Sequence, residues 1–158
     1  MSDAIGGLEM AEILLVEDNP DDRQLTIEAL KAARLANRLQ IAKDGAEALE
    51  FLFADWSRAA ALKVVLLDIK LPKVDGLEVL RQIRANPITK KLPVVLLTSS
   101  AEERDITMGY DRDANSYIVK PVDFTQFAQA VKDIGMYWAI LNRPPALEAA
   151  STVKAAAV

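Results

Sequence analysis

The 158-residue chain contains no cysteine and no histidine. The first absence excludes disulfides and thiolate metal sites and suits a reducing compartment. The second excludes imidazole acid–base chemistry and histidine-ligated zinc. Chemistry is left to carboxylates, hydroxyls and amines. No basic run or aromatic–basic patch occurs and the net charge is -4, so nucleic acid is not an expected partner. The first ten residues carry acids but no Lys or Arg, unlike a secretory leader. No apolar stretch approaches the roughly 20 residues of a membrane span. A cytoplasmic protein with no membrane partner is expected. A chain of this length, half of it hydrophobic, has the size of one domain with a single core.

After a lead-in over residues 1–10, broken by Gly6-Gly7, short apolar runs alternate with helical periodicity. Runs at 12–16, 39–42, 64–67, 94–97 and 116–119 read as strands. Between and after them, helices are expected over 21–36, 44–53, 75–85, 101–110 and 123–141, with a looser connector at 56–61. In the first helix Leu25, Ala29, Leu30 and Ala33 fall at helical spacing; in the last, Phe124, Phe127, Val131, Ile134 and Trp138 do. The run Val64-Val65-Leu66-Leu67 is apolar on both faces, as a parallel strand covered by helices must be. Five strands alternating with five helices predict an α/β fold around a parallel sheet. Asn142-Arg143-Pro144-Pro145 ends the last helix and leaves an alanine-rich tail, so the expected organisation is a lead at 1–10, a domain at 11–141 and a tail at 142–158.

Open parallel sheets bind ligands beyond the carboxyl ends of their strands. The residues that follow the strands are Glu17 and Asp18, then Asp68, Thr98 and Lys120. Taken singly, each has an ordinary reading: a strand-end Asp caps a helix or turn, Thr98-Ser99-Ser100 caps a helix, and a lysine is solvated. Their arrival in one register argues for a site. Three carboxylates crowded together repel and raise a pKa. A hard cation such as Mg2+ relieves that repulsion. Lys120 and Thr98 suit phosphoryl oxygens, and an Asp carboxylate is a covalent phosphoryl acceptor.

These residues carry a resemblance. Ile13-Leu14-Leu15-Val16-Glu17-Asp18-Asn19, Leu66-Leu67-Asp68-Ile69-Lys70-Leu71-Pro72 with Asp75-Gly76, Val94-Val95-Leu96-Leu97-Thr98-Ser99 and Tyr117-Ile118-Val119-Lys120-Pro121 are similar to the receiver domains of two-component response regulators. The resemblance implies a CheY-like, flavodoxin-like doubly wound sheet of order 2-1-3-4-5 flanked by five helices. It implies Asp68 as phospho-acceptor and Mg2+ held by Glu17, Asp18, Asp68 and the backbone carbonyl of Lys70. Thr98 and Lys120 would engage the phosphoryl group, with Lys120-Pro121 a cis peptide and Tyr117 the aromatic that follows Thr98 inward. Glu17-Asp18-Asn19-Pro20-Asp21-Asp22, Lys120-Pro121-Val122-Asp123-Phe124 and Tyr137-Trp138 resemble single-domain regulators of phytochrome-type histidine kinases. That implies a sensor histidine kinase such as a bacteriophytochrome as phosphoryl donor, a downstream target or phosphotransfer protein, and a homodimer through the last helix and tail at Tyr137, Trp138 and Leu141. Such a receiver catalyses only its own phosphotransfer and dephosphorylation and is not otherwise an enzyme. Two rivals stand beside it. A phosphate-blind pseudo-receiver would serve only for docking. A haloacid-dehalogenase-type phosphatase would place its nucleophile after the first strand and an Asp two residues on, where this chain has Lys70.

Overall fold

The computed structural model describes residues 10–99 and 114–142. The expected lead-in (apart from Met10), Ser100, the helix at 101–110 and the tail beyond Asn142 lie outside them. β1 (Ile13–Val16), β2 (Leu39–Ala42), β3 (Val64–Asp68), β4 (Val94–Thr98) and β5 (Ser116–Val119) form one parallel sheet in the order β2-β1-β3-β4-β5. The register pairs Val16 with Ala42 and Leu67, Asp68 with Leu97, and Thr98 with Val119. This is the flavodoxin-like order, whose switch point lies between β1 and β3.

The described helices are α1 (Pro20–Ala32), α2 (Gly45–Ala54), α3 (Trp56–Ala61), α4 (Gly76–Ala85), α5 (Phe124–Asp133) and α6 (Tyr137–Ile140). Each strand sends alternate side chains to opposite faces. Leu14, Val16, Val65, Leu67, Val94 and Leu96 pack with Ala48, Leu52, Leu80 and Ile83. Ile13, Leu15, Leu66, Val95 and Leu97 pack with Leu30, Phe127, Val131 and Ile140. Side-chain oxygens cap the helices: Asn19, Asp44, Asp75 and Asp123 each accept a backbone N–H from the first turn of α1, α2, α4 and α5.

Several expected elements differ. The connector at 56–61 is helix α3, capped by Asp55 and stitched to the end of α2 by Arg58, which donates to the Phe51 carbonyl and lies 4.6 Å from the Phe51 ring centroid. The first helix stops at Ala32 rather than 36, because Arg34 takes the left-handed conformation, φ 61°, and a short 3-10 turn follows at Ala36–Arg38. Its inward face is Thr26, Ala29 and Leu30; Leu25 is exposed. The helix expected over 123–141 is two helices, broken where Gly135 adopts φ 75°. The break turns Ile140 into the core and leaves Trp138 exposed; Phe124, at the start of α5, is exposed too. Among the described residues, six α-helices therefore stand where four were expected.

Two glycines hold the loop after β3. A Cβ on Gly76 would lie 2.1 Å from the carbonyl oxygen of Asp68, and one on Gly45 would lie 1.9 Å from that of Val74. Only a residue without a side chain lets the backbone approach so closely. The Gly76 N–H donates to the Ile69 carbonyl at 2.9 Å, closing the loop back onto the end of β3.

Candidate functional site

The rim beyond the strand ends brings Glu17, Asp18 and Asp68 together: one carboxylate oxygen from each lies within 4.8 Å of the others. Glu17 and Asp68 are buried and Asp18 is exposed. Beside Asp18 and Lys70 an open cleft of 390 Å³ runs past Asp75. Both Asp68 oxygens are engaged. Oδ1 accepts from the Lys70 N–H at 3.3 Å and Oδ2 from Lys120 Nζ at 3.1 Å.

Lys120 is the centre of the cluster. Its side chain is only 9 % exposed, and Nζ donates to Glu17 Oε1 at 2.9 Å, to Asp22 Oδ2 at 3.0 Å and to Asp68 Oδ2 at 3.1 Å. The cis Lys120-Pro121 bond follows β5, and the Lys120 N–H donates to the Thr98 carbonyl at 2.7 Å. Burial opposes charge on the ammonium, but the hydrogen bonds to Glu17 and Asp22 and the charge of Asp68 outweigh it and hold its pKa above the usual lysine range. Glu17 is pushed up to about 7: burial is the main cause, Lys120 opposes it, and the neighbouring Asp68 charge adds to it. Its second oxygen, Oε2, accepts the Asn19 N–H at 3.2 Å.

Thr98 is buried at the end of β4, and Tyr117 is exposed on β5. Asp22 is the member that sequence reasoning missed. It stands in the first turn of α1, where a carboxylate already complements the helix dipole, so nothing in the sequence singled it out. Tyr137 is half-buried against the core and meets Trp138 edge-on at 6.3 Å between centroids; Trp138 is 63 % exposed and Leu141 is partly buried. These three sit on and after α6, away from the acidic rim.

The donor set fits a hard divalent cation. It offers oxygen ligands alone, and two of its three carboxylates are buried with a single ammonium to balance them.

Residues 13–132 match the sequence profile described as the response regulator receiver domain. The chain belongs to that family. Receivers of this family take a phosphoryl group from a histidine kinase and bind a divalent metal. The chain is 48 % identical to the bacteriophytochrome response regulator AtBRR, whose structure superposes with a TM-score of 0.72 over 85 % of this chain and 99 % of that one. It is 36 % identical to response regulator Rcp1 in its Mn(2+)-bound form, at a TM-score of 0.64 over 84 % of this chain and 95 % of that one. It is also 39 % identical, over 134 residues, to a probable methanogenesis regulatory protein, FilR2, of Methanothrix harundinacea, covering 84 % of this receiver and 86 % of the relative. Among the described residues of this receiver, no helix is long and apolar enough to cross a membrane.

Proposed function

We propose that this receiver accepts a phosphoryl group on Asp68 from the phosphohistidine of a phytochrome-type sensor kinase, in the cytoplasm, and that Mg2+ is its metal. The observation that carries the reading is the bond from Lys120 Nζ to Asp68 Oδ2 at 3.1 Å, beside an acidic cluster with an open cleft at its edge. Glu17, Asp18, Asp68 and the Lys70 carbonyl would hold the ion. When bound, it supplies positive charge that stabilises the transferring group.

An Asp68 oxygen attacks phosphorus, so that a P–O bond forms as the P–N bond of the donor breaks. The departing imidazole nitrogen keeps the electron pair and takes a proton from water. Lys120 then faces the new phosphoryl group. The Thr98 hydroxyl moves to donate to it, and Tyr117 turns inward into the space Thr98 leaves. Phosphorylation thereby biases an existing two-state equilibrium of the β4–β5 face. Hydrolysis of the acyl phosphate resets the switch, and no separate substrate is processed.

The output surface is proposed along the exposed side of α5 and onto α6. Phe124, Tyr137 and Trp138 line a groove of 620 Å³. With Leu141, Tyr137 and Trp138 are proposed as the contact between two copies. A downstream target or phosphotransfer protein reads the switched state.

Incubation with acetyl phosphate and Mg2+, followed by intact mass, tests the assignment. Wild type gains one phosphate and Asp68→Asn gains none. A gain in both proteins removes Asp68 from its role.

A further inference from the structure

Three carboxylates bond one ammonium, but only two of them belong to the cluster that can share a cation. Glu17, Asp18 and Asp68 form the metal-sized cluster; Asp22 stands outside it and touches the site through Lys120 alone. An ammonium has three N–H donors, and those of Lys120 go to Glu17, Asp22 and Asp68. A divalent ion on the cluster draws on the charge of Glu17 and Asp68 and repels the ammonium beside it. Of Lys120's three partners, Asp22 alone then keeps its full charge for the lysine.

Asp22 is built to stay in place. Its N–H donates to the Asn19 side chain at 2.9 Å, and its carbonyl accepts the Thr26 hydroxyl at 3.1 Å. Its side chain is 33 % exposed, whereas that of Glu17 is fully buried. Water can therefore solvate Asp22 when Lys120 shifts its bonds, and cannot do so for Glu17.

We propose that Asp22 is a positioning residue that retains Lys120 at the acceptor when a divalent cation fills the acidic cluster. It divides the labour of the carboxylates: three for the metal, one for the lysine. The proposal rests on the phosphoryl-acceptor reading of this site. Without Asp22, Lys120 has only the metal's own ligands to pair with, so it competes with the ion. With the ion bound, the lysine leaves its place beside Asp68.

The test is a double-mutant cycle read by calorimetric Mg2+ titration, with acetyl-phosphate uptake at saturating Mg2+ as a second readout. Asp22→Ala is expected to weaken Mg2+ binding about three- to fivefold and to slow uptake. Asp22→Asn keeps an acceptor and recovers part of both. In a Lys120→Met background the Asp22 substitution has little effect on Mg2+ affinity, since it acts through the lysine. Asp21→Asn removes a charge from an exposed neighbour in the same helical turn and leaves both readouts unchanged, which separates positioning from helix-end electrostatics. An Asp22 effect of equal size with and without Lys120, or a matching loss in Asp21→Asn, overturns the proposal. A wild type that binds Mg2+ but takes up no phosphate removes the acceptor reading and leaves the cycle on Mg2+ affinity to decide the role of Asp22. A wild type that binds no Mg2+ removes both.

Discussion

Glu17 gives this receiver a titration near neutral pH that can be isolated, because the chain has no histidine or cysteine to share that range. Its carboxyl is raised from 4.5 to about 7, chiefly by burial. A carboxyl whose folded pKa exceeds its unfolded value favours folding while it is protonated, and that stability is lost as pH rises from the unfolded pKa through the folded one. The window is therefore about 4.5 to 7. Integrating the proton difference from about pH 6 to 8 gives a loss of about 1 kcal/mol in the metal-free protein. That corresponds to a melting temperature about 2 to 4 °C lower at the higher pH. The same group must ionise before it can serve a metal. Its ionised fraction rises from about a tenth to about nine-tenths over that interval, so apparent Mg2+ affinity rises about tenfold. Thermal melts in EDTA and calorimetric Mg2+ titrations at the two pH values measure both numbers. Glu17→Gln is expected to flatten the metal-free melting profile. A wild-type melting temperature that does not fall, together with a pH-independent Mg2+ affinity, refutes the reasoning.

Other outcomes follow from the same structure. Gly45→Ala drives a Cβ into the Val74 carbonyl; denaturant unfolding should show a loss of about 1–3 kcal/mol, and acetyl-phosphate uptake should slow because the loop that follows Asp68 shifts. Asp44 and Asp123 have pKa values lowered mainly by the backbone N–H groups they cap. Their support is present above the usual Asp pKa and is lost as pH falls through the folded values, so the acid limb of the stability profile should flatten in Asp44→Ala and Asp123→Ala. Trp138→Ala is expected to shift the receiver toward monomer in light scattering without changing phosphate uptake; an unchanged mass distribution removes the proposed dimer contact.

The sheet was legible because its three central strands, β1, β3 and β4, are apolar runs with a polar residue at the carboxyl end, and a parallel sheet collects those ends on one rim. Asp68 and Lys120 are 52 residues apart in sequence, yet strand-end position alone placed them together. Helical detail was less legible. Leu25 fits the spacing of an inward face, but tertiary packing chose Thr26, whose hydroxyl bonds the Asp22 carbonyl and so can be buried. The break in the last helix had a signal in Gly135, which periodicity overrode. That break decides which aromatic is outward: Trp138 is exposed while Tyr137 leans on the core. Asp22 was hidden because its position already had a sufficient local explanation in the helix dipole.

The bonds of Lys120 also bear on when the site can exist. They reach back 103 residues to Glu17, 98 to Asp22 and 52 to Asp68. As the chain leaves the ribosome, β1, α1 and β3 can pair while their carboxylates still lack the ammonium that balances them. The acidic rim stays electrostatically unfavourable until β5 docks beside β4 and delivers the lysine. Closure of the sheet and completion of the cluster are thus one event, and a chain halted before residue 120 carries the carboxylates without the ammonium that balances them.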